Sequence, residues 1–142
     1  MITFIFFCGQ DGNIRAVYRL KAKGQDLNEA GAHDRTFLME ATIQNHFNIV
    51  KYLVRRGAIV NTANNDGHTA LICACDEGRL DISRFLWESG ADVNAASNHG
   101  STALMGASRG GHLELSRFLC ESGADVNAAH MLREKCVATI FN

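Results

Sequence analysis

Apolar residues follow two short helical patterns within residues 69–94, and glycine or polar residues separate the patterns. In each pattern the apolar residues recur at i, i+3 or i+4 spacing, which predicts a helix with one buried face. Thr69 can cap the first helix through its hydroxyl, and Gly78 and Gly90 can each end a helix because glycine adopts the left-handed conformation at little cost. Turn-forming residues then continue to Gly100. The segment therefore predicts a helix, a tight turn, a second helix, and a long loop or hairpin.

The same pattern returns every 33 residues along the chain. Glycine occurs at positions 24, 57, 90 and 123, asparagine follows each of them four residues later, and threonine recurs at 3, 36, 69 and 102. Residues 80–96 and 113–129 differ at only three of 17 positions, which favours duplication of one unit. Isolated helices shorter than about 12–15 residues are marginal in water. The fixed period therefore predicts units that stabilise one another by stacking.

Four features of the repeated unit resemble the ankyrin repeat: the 33-residue period, the opening TAL at 69–71, the turn GHL at 111–113 and the closing GADVN at 90–94. The resemblance implies an all-α solenoid of stacked helix-turn-helix units with connecting loops or β-hairpins. We expect one domain over residues 1–142. Its units would span about 1–30, 31–63, 64–96 and 97–129, with a partial fifth unit at 130–142.

The chain departs from the family pattern at two places in the unit and at its end. It contains no proline, and the family's histidine is replaced by Met39, Ile72 and Met105, so we expect looser ordering of the loops than hydrogen-bonded histidines would give. After Ala129 the pattern decays, and Val137 belongs to an apolar end that lacks the polar outer face of a terminal repeat. We expect a fragment of a longer array, or an end that packs on another surface, and we favour the fragment.

Composition and charge narrow the classes of function. The formal net charge of −1 and the pI near 6.6 give no strongly basic face, so we expect neither a nucleic acid partner nor a membrane surface. The apolar start MITFIFFC is too short for a signal peptide or a membrane span. The five cysteines are odd in number and mostly fall in helical patterns, which indicates buried thiols in a reducing, intracellular and cytoplasmic compartment.

No catalytic set stands out, so we expect no enzyme activity, cofactor or metal. Cys73 and Cys75 lie two residues apart on a helix without a further cysteine pair, which favours core packing over zinc binding. Cys120 and His112 could be a nucleophile and a base, but Cys120 takes the position of Trp87, which we place on the core side of its helix. Loop histidines at 33, 68, 99 and 130 could line up as a weak metal site or a pH-sensitive group, although solvated loop residues are the favoured interpretation.

A repeat stack offers a long ridged face rather than a deep pocket, and such a face suits a protein partner. The candidate binding residues are those that change between units while the surrounding pattern stays constant. One group precedes the turn between the two helices: Ile43, Gln44, Asp76, Glu77, Arg109 and Gly110. A second group flanks the loop glycine: Ala32, His33, Arg35, Asn65, Asp66, His68, Asn98, His99 and Ser101. The resemblance to ankyrin repeats implies that both groups lie on the concave groove and loop tips.

Asp66, Asp76 and Glu77 make the third unit acidic, with Arg35 and Arg109 on either side. We expect a partner that carries lysine or arginine opposite this unit, since charges at the rim of an interface mainly affect the encounter rate and selectivity. Ordinary solvated residues remain the alternative interpretation.

Two asparagines invite a modification hypothesis. The segments from Leu86 to Asn94 and from Leu119 to Asn127 resemble the pattern by which asparaginyl hydroxylases recognise ankyrin repeats, whereas the segment ending at Asn61 departs because Ile59 replaces the acidic residue. Asparagine side chains that order the loop backbone are the favoured alternative.

The pattern as a whole predicts a non-catalytic protein–protein interaction module or scaffold, monomeric or part of a larger assembly. Two alternatives remain open: a regulatory segment of a larger enzyme such as a kinase or ubiquitin ligase, and a structural array without a specific ligand.

Overall fold

The computed structural model describes residues 24, 26–31 and 34–128. This part of the chain forms six helices of seven or nine residues in three consecutive pairs. The helices are α1 (Phe37–Ile43), α2 (Phe47–Arg55), α3 (Ala70–Asp76), α4 (Leu80–Glu88), α5 (Ala103–Arg109) and α6 (Leu113–Glu121). The predicted helices of the first unit and the partial fifth unit lie outside the described residues.

The repeated threonines start the first helix of each pair, as the sequence predicts. The hydroxyls of Thr36, Thr69 and Thr102 accept hydrogen bonds from the backbone N–H three residues later, at 3.3, 3.3 and 3.4 Å. Each hydroxyl thereby pairs a backbone donor that has no partner within the helix.

The repeated glycines share one conformation, which confirms the register. Gly57, Gly90 and Gly123 follow the second helices with φ of 92°, 94° and 92°. At the tighter turn inside each pair, Asn45 takes the place of a glycine and adopts φ of 61°. Asparagine tolerates this left-handed conformation better than most residues, so the first described pair keeps the turn without glycine.

The core runs through the stack between the helices. The first helices α1, α3 and α5 pack on one another in order, and each also packs on the second helix of its own pair. Leu38, Leu71 and Leu104, spaced by 33 residues, are at most 3% exposed. The second helices contribute an equivalent buried column, which consists of Leu53, Leu86 and Leu119.

One predicted core position is wrong. Trp87 is 39% exposed, and Cys120 at the same position of the next pair is half-buried. The ring of Trp87 packs edge-on against Phe118, with 5.7 Å between centroids, at the surface between α4 and α6. This position therefore lies at the margin of the helix contact and not in the core.

The connections are loops, with one trace of hairpin structure. Ala96 and Thr102 form an isolated antiparallel bridge, and the described residues contain no longer strand. Each loop nevertheless closes by an equivalent backbone hydrogen bond, for example from Asn64 N to His68 O at 3.0 Å and from Ser97 N to Ser101 O at 2.9 Å. None of the helices in the described part of the chain is both long and apolar enough to cross a bilayer.

Candidate functional site

The first group of predicted binding residues comes together at the ends of the first helices. We call Ile43, Gln44, Asp76, Glu77, Arg109 and Gly110 the helix-end cluster. Its members in α3 and α5, and in the residues that follow them, are exposed, and those at the end of α1 are half-buried. Because α1, α3 and α5 stack in register, these residues form a row across three helix pairs.

Charged groups within this row already contact each other. Arg109 Nη2 lies 3.4 Å from Asp76 Oδ1, and Arg79 Nη2 lies 3.9 Å from Glu77 Oε2. The side chains of Asp76 and Arg109 are 34% and 60% exposed, so solvent screens their pair and a partner can compete for either group.

Arg79 belongs to the site although the sequence pattern did not select it. Besides its approach to Glu77, its Nη2 donates a hydrogen bond to the backbone oxygen of Ile43 at 3.2 Å, which ties the second helix pair to the first. The signal was present in the sequence, since Arg79 breaks the GHL turn that His112 preserves.

Three first-helix residues spaced by 33 lie next to this row: Glu40, Cys73 and Gly106. Glu40 is 7% exposed, and its carboxylate lies 3.5 Å from Arg35 Nη1. A Cβ at Gly106 would overlap the carboxylate of Asp76, so Asp76 packs directly over the next helix of the stack. The decrease in side-chain size from glutamate to glycine therefore makes room for the Asp76–Arg109 pair.

The two buried cysteines carry no reactive thiolate at neutral pH. Burial, reinforced by the negative charge of Asp76, raises the pKa of the Cys73 thiol to about 11. Burial also raises the pKa of the Cys75 thiol to about 12, against a smaller opposing effect of its hydrogen bond with Ser83. A protonated thiol is neither a good nucleophile nor a metal ligand, so both side chains act as packing groups.

The second predicted group forms a loop-tip cluster, of which the structure describes Arg35, Asn65, Asp66, His68, Asn98, His99 and Ser101. Asn98 joins two loops, because its backbone N–H donates to Asp66 O at 2.9 Å and its Nδ2 donates to Asn65 O at 2.6 Å. The backbone N–H of Asn65 in turn donates to Asp34 Oδ2. Asp34 is a contributor that the sequence pattern missed, and the predicted residues Ala32 and His33 lie outside the described residues.

The asparagines that close each unit bond to the next unit. Asn94 Oδ1 accepts from Asp125 N at 2.7 Å, and Asn94 Nδ2 donates to Gly123 O at 3.1 Å. Asn61 makes the same pair of bonds to the elements after α4 at 2.8 and 3.0 Å. These bonds support the interpretation that the asparagines order the loop backbone.

The described residues contain no group of three or more histidine, cysteine or carboxylate side chains positioned to hold a metal ion. His68 is half-buried and His99 is exposed in their loops.

Stacked helix pairs with capped first helices and a 33-residue period define a helical repeat protein. A family model of three ankyrin repeats matches residues 5–97, and a single ankyrin-repeat model matches residues 99–131. The chain therefore belongs to the ankyrin-repeat family, and its fold is an all-α ankyrin solenoid. Repeats of this family are generally non-catalytic modules for protein–protein interaction. No curated protein matches the chain significantly.

Proposed function

We propose that this chain is a non-catalytic module or scaffold that binds a partner protein through its helix-end and loop-tip clusters. One observation carries the proposal: the exposed residues differ from pair to pair while the backbone around them repeats. At successive ends of the first helices the exposed or half-buried residue changes from Ile43 to Asp76 to Arg109. A repeated scaffold with changing side chains is suited to reading the chemistry of a partner.

The charges favour a partner with a lysine or arginine opposite the pair α3–α4. Asp66 and Glu77 are exposed, and Asp76 is held over Gly106 beside Arg109. A cationic group of the partner would compete with Arg109 for Asp76, and the exposed position of the pair keeps the cost of that exchange small.

The test is capture of partners by the wild-type protein and by a variant that carries Asp76→Ala, Glu77→Ala and Arg109→Ala. A control variant with Glu114, Arg117 and Glu121 replaced by alanine removes the same kinds of charge from the exposed face of α6. We expect the control to retain the partners and the helix-end variant to lose them. If the helix-end variant retains the full set, this surface is not the binding site.

We also propose that Asn94 and Asn127 can accept a hydroxyl group from an asparaginyl hydroxylase. The support is the sequence pattern, and the structure sets a condition: Asn94 must leave its two hydrogen bonds to the next unit before an enzyme can reach it. Tandem mass spectrometry after incubation with such an enzyme should show one added oxygen on Asn94 or Asn127. Asn61 is the internal control because Ile59 breaks the pattern there; modification of Asn61 alone would contradict the proposal.

We further propose that the module comprises the units at about 1–30, 31–63, 64–96 and 97–129 with a partial unit at 130–142, and that it acts in the cytoplasm as a monomer or as part of a larger assembly. Free, buried thiols at Cys73 and Cys75 support a reducing compartment. Fluorescence microscopy of the tagged chain tests the location, and a secreted or membrane-bound pattern would contradict it.

A further inference from the structure

The segments that follow the second helices share a backbone but differ in chemistry. We call each five-residue segment that begins at the last residue of a second helix an elbow. The three described elbows are residues 55–59, 88–92 and 121–125, with the sequences RRGAI, ESGAD and ESGAD. Their glycines have φ of 92°, 94° and 92°, and their alanine N–H groups bond back to the helix at 3.0, 2.9 and 2.9 Å. The elbow at 55–59 therefore replaces two acidic residues with arginine and isoleucine on an unchanged backbone.

The replacement removes hydrogen bonds that support the other two elbows. Ser89 and Ser122 bond to helix carbonyls at 2.7 and 2.8 Å, and Arg56 takes their place. Asp92 accepts a hydrogen bond from Asn94 N at 2.9 Å, and Asp125 accepts one from Asn127 N at 2.8 Å. Isoleucine at position 59 cannot accept such a bond. The elbow at 55–59 thus gives up local stabilisation.

The side chains of this elbow face solvent. Arg55 and Arg56 are exposed, and Ile59 at 59% is the most exposed of the large apolar side chains in the described residues. The Arg56 guanidinium lies 5.3 Å from the ring centre of Tyr52, and Ile59 N is held by Asn28 Oδ1 at 2.7 Å. Two cationic forks and one apolar group are therefore presented on a fixed backbone.

The fold itself makes no use of the Arg55 charge. Within residues 34–128, ion pairs form at Arg35, Arg79 and Arg109, and none joins Arg55 to an acidic group of the neighbouring elbows. An exposed isoleucine and an arginine that no internal carboxylate neutralises are better explained by an external ligand than by stability.

We propose that the elbow at 55–59 is a docking site for an acidic polypeptide segment that carries an apolar side chain. Arginine binds carboxylates through two parallel hydrogen bonds, and Ile59 offers an apolar contact beside them. The site shares no residue with the helix-end or loop-tip cluster, so it extends the proposed function and can be tested separately from it.

The test compares the wild-type chain with the variant Arg55→Glu, Arg56→Ser, Ile59→Asp. This variant converts the elbow into the sequence of the other two elbows, so the backbone should be retained, and urea unfolding checks that it is. The control variant Arg84→Glu, Arg117→Glu lowers the formal net charge by the same four units at exposed positions of α4 and α6. A displayed library of random short peptides is selected against the wild-type chain, and the enriched peptides are then measured on all three proteins by fluorescence anisotropy.

We expect the enriched peptides to be acidic and to contain an apolar residue. They should bind the wild type and the control with affinities within about threefold of each other and lose about tenfold or more on the elbow variant, and added salt should weaken them. Enriched peptides that are neutral or basic, or that bind the elbow variant equally well, would overturn the proposal. So would sedimentation showing that the wild type dimerises and the elbow variant does not, because the ligand would then be the acidic elbows of a second copy.

Discussion

Single asparagine side chains connect neighbouring units, and Asn61 shows what each connection is worth. Its side chain receives one hydrogen bond from Asp92 N and donates another to Gly90 O. We expect Asn61→Ala to lower the free energy of unfolding by about 1–3 kcal/mol, since it deletes both bonds and leaves the carbonyl and the N–H to water. Urea unfolding measures the loss.

The matched control is Asn48→Ala, which removes the same side chain from an exposed position of α2. Alanine has the higher helix propensity, so this change should be neutral or slightly stabilising. Equal losses in both variants would show that the hydrogen bonds between units contribute nothing to stability.

The buried thiols make stability sensitive to alkaline pH. Free thiols have a pKa of 9.0, whereas burial, aided by the charge of Asp76, raises the pKa of Cys73 to about 11, and burial raises that of Cys75 to about 12. The unfolded chain therefore loses thiol protons first, and their contribution to stability is complete below pH 9 and disappears as the pH rises through 11 to 12.

Urea midpoints at several pH values from neutral to alkaline check this expectation, with a Cys73→Ala, Cys75→Ala variant as the comparison. The variant should be less stable at neutral pH but should decline less steeply above pH 9. Lysine and tyrosine titrate in the same range in both proteins, so the difference between the two slopes isolates the thiols. Parallel slopes would contradict the assigned burial.

Helices α5 and α6 hold the end of the described stack, and Leu104 is the test of their packing. Its side chain is 3% exposed in the leucine column of the first helices. Leu104→Ala should cost roughly 2–5 kcal/mol through the cavity it leaves. Ser101→Ala, three residues earlier in the half-buried loop, should be near neutral. Equal midpoints in urea would count against the register.

The helix boundaries could be predicted from the sequence because they depend on local chemistry: a threonine hydroxyl at each start and a residue that tolerates positive φ at each end. Contacts across units could not. The loops lack the family's histidine, yet Asp34 and Asn98 tie them by bonds that depend on how the loops lie in space. Likewise, the pattern selected Asp76 and Arg109 separately, and only the stacking of α3 on α5 places them 3.4 Å apart.

At the scale of the whole molecule, stability depends on contacts between neighbouring helix pairs. The central helix α3 packs on α1, α4 and α5, and its residues 70–75 are all buried. A single pair has one such contact at most, namely the contact between its own two helices. The energy that holds each helix in place therefore comes largely from the adjacent pairs, as expected for a one-dimensional stack.

This dependence predicts that one excised unit does not fold. A peptide of residues 64–96 contains helices of seven and nine residues, both below the length that persists alone in water. Removing the neighbours also exposes Leu71, Ile72 and Ile82, which are about 1% exposed in the stack. Circular dichroism should show a largely unstructured peptide without a cooperative transition, whereas the complete chain should be helical and melt cooperatively. A helical peptide with its own cooperative melt would mean that the contacts within a pair suffice, and stacking would then explain the repeated spacing but not the stability.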